Sequence, residues 1–158
     1  YGGDTLWANQ YLAYETLSDG MKAMLEGLRA VHTAKGEYSE RGHSAQKRKS
    51  MEVATAGDDV PSYEHPVVRT HPETGRKALY VNPAFTEKFV GMTRRESRPI
   101  LDFLFEHCTQ EGFTCRFRWT DNAIAFWDNR CTQHFALNDY HGHRRHMERV
   151  TVNGDRPY

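Results

Sequence analysis

The chain has 158 residues, enough for one domain with a moderate core. Lysine plus arginine balance aspartate plus glutamate at 21 each, so the formal net charge is zero and no global basic field points to nucleic acid. No apolar run approaches the roughly 20 residues of a membrane span, and 12% aromatic residues argue against a disordered chain. The mean hydropathy is −0.80. Cys108, Cys115 and Cys131 are odd in number and form no CxxC pattern, which suits reduced thiols in a cytoplasmic protein. No secretory signal pattern is evident, and a first residue of Tyr1 rather than Met suggests processing or an incomplete reading frame.

In chain order, Gly2-Gly3-Asp4 forms a turn and Ser18 is a candidate N-cap. Met21, Met24, Leu25 and Leu28 then recur at helical spacing, which predicts an amphipathic helix with that stripe in the core. Residues 33–64 hold Gly36, Gly42, Gly57 and the run Lys47-Arg48-Lys49, with few large apolar residues. They predict a long polar excursion or lid. His65–Arg69 and Ala78–Val81 predict two strands joined by the His71–Gly75 loop. Asn82-Pro83 predicts a helix start. Thr93 and Glu96 fit a capping box, ahead of an apolar face at Ile100, Leu101, Leu104, Phe105 and Cys108. Pro99 lies deep enough to split that helix. Residues 113–119, 123–127 and 145–152 read as strands separated by polar turns. The expected fold is mostly β with helices, a sandwich or small barrel.

The chemistry concentrates near the C-terminus. His134 follows the run Trp127-Asp128-Asn129-Arg130-Cys131-Thr132-Gln133, with Arg145 and Arg149 beyond it. One histidine cannot hold a metal, and a two-His-one-carboxylate iron site needs a His-x-Asp or His-x-Glu pair as well. His71-Pro72-Glu73 and His146-Met147-Glu148 fit that pattern, but the first is expected in a hairpin turn and the second on the strand face opposite Arg145 and Arg149. His141, His143 and His146 read as exposed loop histidines. On a common strand face the two arginines would stand about 13 Å apart, so they suit two different anionic groups. A nucleic-acid-binding reading through Lys47-Arg48-Lys49 and His143-Arg144-Arg145-His146 is opposed by the zero net charge.

Several stretches together carry a resemblance: Gly2 through Trp7, His65 through Pro72, Tyr80 through Thr86, Trp127 through His134, and Arg144 through Thr151. They resemble the C-terminal part of iron(II)- and 2-oxoglutarate-dependent dioxygenases of the taurine dioxygenase family, which also includes alkylsulfatases and phenoxyacetate dioxygenases. The resemblance implies a double-stranded β-helix, or jelly roll, incomplete at its N-terminus and spanning residues 1–158 as one partial domain. It implies Fe(II) and 2-oxoglutarate as cofactors, with O2 and a small anionic substrate such as a sulfonate or sulfate ester. His134 matches the distal iron ligand. Thr5 and Arg145 match the residues that hold the far carboxylate of 2-oxoglutarate. Arg149 and Phe85 match substrate-binding positions. Trp7, Trp119 and Trp127 match tryptophans around the iron, although core packing explains them equally well. The family's His-x-Asp pair precedes the Gly-Gly-Asp-Thr stretch and would lie before Tyr1. An alternative is a degenerate, non-catalytic fragment or dicarboxylate-binding module. No nucleic acid and no membrane are expected as partners, and a homo-oligomer is compatible with the sequence.

Overall fold

A computed structural model describes residues 2–35 and 60–158. The strands are β1 (Thr5–Asn9), β2 (Arg29–Thr33), β3 (Ser62–Pro66), β4 (Val68–Thr70), β5 (Lys77–Leu79), β6 (Thr86–Phe89), β7 (Thr114–Phe117) and β8 (Thr132–Ala136). The helices are α1 (Gln10–Glu15), α2 (Asp19–Leu25) and α3 (Arg94–Cys108). The strands form two three-stranded antiparallel sheets, ordered β7-β1-β8 and β3-β2-β6, and the β4-β5 hairpin.

Local chemistry fixes the helix starts. Asn9 accepts hydrogen bonds from the Tyr11 and Leu12 amides and opens α1. The expected Ser18 cap accepts from the Met21 amide. Its helix ends at Leu25, so Leu28 leads into β2 and Met24 faces solvent. Thr93 and Glu96 form the expected capping box. Contrary to expectation, Pro99 does not split α3. It costs the helix one amide donor, whose acceptor would be the carbonyl of solvent-exposed Arg95, where water can substitute.

The core lies between α3 and the second sheet. Leu101, Leu104 and Cys108 on α3 pack with Phe89, Ala30 and Leu79, all nearly inaccessible. Ser97 joins the two layers: its hydroxyl donates to the Thr93 carbonyl and accepts from the Phe89 amide.

The sequence expectation for 65–69 splits at Val67. Residues up to Pro66 pair with β2, and those from Val68 pair with β5. Val67 itself donates to Leu28 and accepts from Tyr80, stitching hairpin to sheet. The polar excursion is the connection of the β2–β3 hairpin. Residues 36–59 of the expected lid, including Lys47-Arg48-Lys49, lie outside the described residues.

Three expectations are overturned. Asn82-Pro83 starts a turn rather than a helix, since the Asn82 side chain accepts from Ala84 and Phe85 and the chain enters β6 at Thr86. Residues 123–127 and 145–152 are not strands. Ile124, Phe126 and Val150 are at least 90% exposed, and alternation alone makes no strand without a neighbour to complete its ladder. Arg145 and Arg149 are therefore on irregular chain, and the face argument that set His146-Met147-Glu148 aside does not apply.

Candidate functional site

β1 is the central strand of its sheet, and its register gathers the site. Thr5 pairs with Phe117 and Ala136, and Trp7 pairs with Cys115 and His134. Because side chains alternate along a strand, Thr5, Trp7, Phe117 and His134 share one face of the sheet, with Thr5 and His134 as diagonal neighbours. Trp7 is the centre of an aromatic floor. Its ring meets Phe117 at 5.8 Å, Trp119 at 6.5 Å and Trp127 at 5.3 Å, between centroids. The His134 ring lies 5.1 Å from Trp127. The three tryptophans pack on one another, as the packing account expects, and Trp127 also meets the His134 ring.

Thr5 is buried, and its hydroxyl oxygen accepts from Trp119 Nε1 at 2.9 Å. That bond uses a lone pair and leaves the hydroxyl hydrogen available for an acceptor. Trp7 Nε1 is buried without a partner. A buried donor in that condition marks a place where a polar ligand or water belongs.

Arg145 is seated by the glycine turn. Its Nε donates to the Gly3 carbonyl at 3.1 Å, and its guanidinium lies 5.7 Å from the Tyr140 ring centre. Gly3 has φ +72°, and a Cβ there would sit 2.7 Å from Arg145 Cδ. Only glycine accommodates both the backbone angle and the approach. Asp139 Oδ1 accepts from the Gly3 amide, a bond that holds the Asp139 carboxyl below its ordinary range. Asp4 pairs with Arg116 at 2.7 Å. With Nε committed to Gly3, the terminal nitrogens of Arg145 are the ones that can fork a carboxylate.

The remaining expected residues are placed less tightly. Arg149 is exposed on irregular chain. Phe85 is 37% exposed on the turn before β6, at the second sheet, where its carbonyl accepts from Thr33. His141, His143 and His146 are exposed.

One cluster escaped the sequence reading. Among the described residues, His71, Asp128 and Cys131 form the one trio of potential metal ligands, with donor atoms within 4.8 Å of one another. The hydrogen bonds speak against a metal there. His71 Nδ1 accepts from the Glu73 and Thr74 amides, so Nε2 carries the proton and donates to Asp128 Oδ2 at 3.1 Å. The same oxygen is 2.7 Å from Arg130 Nη2. The arginine already occupies the cationic position, and its bonds, followed by that from His71, hold the Asp128 carboxyl far below its ordinary range. The short spacing in Asp128-Asn129-Arg130 was the available signal, but the partner His71 is distant in sequence. Elsewhere, Cys108 is packed in the core and burial pushes its thiol up to about 12, which leaves it unreactive.

Residues 1–151 match the family model described as "Taurine catabolism dioxygenase TauD, TfdA family". The chain belongs to that family. It is 36% identical to the alkylsulfatase of Acinetobacter baylyi over 159 residues, covering 98% of this chain and 49% of that protein. A crystal structure of a taurine dioxygenase from Burkholderia xenovorans is 44% identical with a TM-score of 0.70, covering 88% of this chain and 43% of the other. The crystal structure of AAD-2 in complex with Mn(II) and N-oxalylglycine is 29% identical with a TM-score of 0.76, covering 99% of this chain and 59% of the other. The chain spans 36% to 52% of the length of its curated relatives, 38% for the sulfonate dioxygenase relative of Schizosaccharomyces pombe.

Proposed function

We propose that this chain supplies one iron ligand and the 2-oxoglutarate anchor of a dioxygenase that hydroxylates a small anionic substrate, a sulfonate such as taurine or a sulfate ester, with release of succinate and CO2. The observation that carries this reading is the β1–β8 register, which sets Thr5 and His134 on one sheet face beside the glycine turn that seats Arg145. The donor set fits the cofactors. A neutral imidazole suits Fe(II), and a hydroxyl beside a guanidinium suits a carboxylate. Trp7, on the same sheet face as Thr5 and His134, carries a buried Nε1 without a partner, which supports a polar ligand at that face. The relative with the highest TM-score above was solved with Mn(II) and N-oxalylglycine.

His134 would hold the metal, and Thr5 and Arg145 the far carboxylate of 2-oxoglutarate. Iron with 2-oxoglutarate, when bound, supplies oxygen activation and C–H hydroxylation. The residues of this chain supply the rest. Thr5 donates its hydroxyl hydrogen while Trp119 holds the oxygen in place. Arg145 contributes charge from a seat that Gly3 keeps narrow. The Trp7, Phe117, Trp119 and Trp127 floor excludes water and lowers the local dielectric, which strengthens those polar contacts. Arg149 and Phe85 are proposed to meet the substrate's anionic and apolar parts.

Residues 1–158 are proposed as one partial jelly-roll domain whose further strands cover the exposed Ile124, Phe126 and Val150 and complete the ligand set. The competing reading is a dicarboxylate-binding module without catalysis. It is favoured by the fact that, among the described residues, no trio of potential metal ligands includes His134. Succinate release from 2-oxoglutarate in the presence of Fe(II), taurine and an alkyl sulfate separates the two. Turnover by the protein as its gene encodes it supports the dioxygenase. Binding of 2-oxoglutarate that is independent of metal, without succinate, supports the module.

A further inference from the structure

Arg130 joins three segments that are remote in sequence. Within its own turn, its amide and Nε donate to Asp128 Oδ1 at 2.8 and 2.9 Å, and Nη2 donates to Asp128 Oδ2 at 2.7 Å. Nη2 also reaches Glu73 Oε1, in the β4–β5 loop, at 2.9 Å. Nη1 reaches Asp155 Oδ1, near the C-terminus, at 3.4 Å. Two of the three carboxylates are secured a second time. Asp128 accepts from His71, which is 4% exposed in the β4–β5 loop. The other oxygen of Asp155 accepts from Arg69 at 2.9 Å, and Arg69 is 1% exposed on β4. The tail beyond Asp155 continues onto the same strand, where the Thr70 amide donates to the Tyr158 carbonyl at 2.8 Å. On the turn side, the Asp128 carbonyl accepts from the Thr132 hydroxyl, and the Gln10 amide donates to the Cys131 carbonyl at 2.9 Å.

The consequence is geometric. The Asp128–Thr132 turn delivers the chain into β8, two residues before His134. The tail at Asp155 follows Arg149 closely. A planar guanidinium with five donors can bind one carboxylate bidentately and still bridge to others, which an ammonium cannot do. We propose that Arg130 is a positioning residue: by clasping Asp128, Glu73 and Asp155 it ties the strand of the metal ligand and the segment of the substrate arginine to one hairpin, and so fixes their spacing. This rests on the proposed dioxygenase reading for its functional meaning, but the clasp itself does not. Arg130 touches neither metal nor substrate in this account. It acts through His134 on one side and through Arg149 on the other.

The two arms can be broken separately. D155N weakens only the tail arm, whereas R130Q breaks both. Amide hydrogen exchange at Thr70 reports the tail and at Gln10 the turn, and Mn(II) titration of the protein as its gene encodes it reports the ligand. D155N is expected to speed exchange at Thr70 about tenfold while leaving Gln10 and the Mn(II) dissociation constant unchanged. R130Q is expected to speed exchange at both amides and to weaken Mn(II) binding by about tenfold or more, the usual scale for residues that orient a metal ligand. R130K, which keeps the charge and loses the fork, falls between them and serves if R130Q does not fold. Equal loosening at both amides in D155N, or unchanged exchange in the Arg130 variants, overturns the proposal. Selective loosening in a wild-type background that binds no Mn(II) keeps the clasp and instead overturns the dioxygenase reading.

Discussion

The two sheets of this molecule are finished to different degrees. Beneath the β3-β2-β6 sheet, α3 buries Leu101, Leu104 and Cys108 against Phe89 and Leu79, and even the polar Ser97 has both hydrogen-bonding functions engaged. The β7-β1-β8 sheet instead leaves His134 and Phe135 exposed and its apolar neighbours Ile124 and Phe126 in solvent, whereas buried polar atoms without a partner occur on both sheets, at Trp7, His32 and His65. A packed face holds a fold together. A face with uncovered apolar side chains is one arranged for something else to meet. On the proposed reading, stability lies with one half and ligand chemistry with the other, and substitutions can test it.

The largest effect should come from the packed half. Leu104→Ala removes a fully buried side chain and should cost about 3 kcal/mol in denaturant unfolding, with no specific effect on ligand binding. A pH effect of similar size is expected in the same sheet. His32 and His65 share the inner face of the β2–β3 hairpin with ring centres 5.1 Å apart, beside Tyr63 and Tyr80. Burial, followed by the charge of His65, pushes His32 down to about 4, while burial and then Arg29, Arg69 and Arg156 push His65 down as well. For His32 the folded value lies below the unfolded one, so the unfolded state takes up the proton first as pH falls. Its contribution is complete above about pH 6.5 and is lost as pH drops towards 4, up to about 3 kcal/mol. Unfolding followed between pH 7.5 and 4.5 should show that slope, and His32→Phe should flatten it.

The open half should respond differently. Gly3→Ala forces a side chain into φ +72° and against Arg145. It should cost about 1–2 kcal/mol in thermal unfolding. More tellingly, it should weaken 2-oxoglutarate binding more than its stability loss accounts for. The smallest effect is expected at Ile124 and Phe126. Replacing either with serine should change stability by less than about 0.5 kcal/mol in this chain, because both are already in solvent. A large loss there would erase the contrast between the two halves.

What the sequence revealed follows the range of the interactions involved. The Thr93–Glu96 box and the Ser18 cap are settled within one helical turn, and both were legible. β1, β2 and β6 were not, because each is short and becomes a strand only through partners far along the chain. The 123–127 and 145–152 stretches show the converse: alternation without a ladder partner leaves irregular chain. Within the site, Thr5, His134 and Arg145 stood in motifs, but nothing local announces that Gly3 must lack a Cβ for Arg145, or that Arg130 reaches Glu73 and Asp155. Those facts depend on approaches between remote segments.

The central claim is that His134, Thr5 and Arg145 form one half of an iron and 2-oxoglutarate site. The most direct measurement is an anaerobic titration of the protein as its gene encodes it with Fe(II) and 2-oxoglutarate, following the visible metal-to-ligand absorption band. The account predicts a band that His134→Ala abolishes and that Arg145→Ala develops only at much higher 2-oxoglutarate. A band of wild-type strength and affinity in both variants would contradict it.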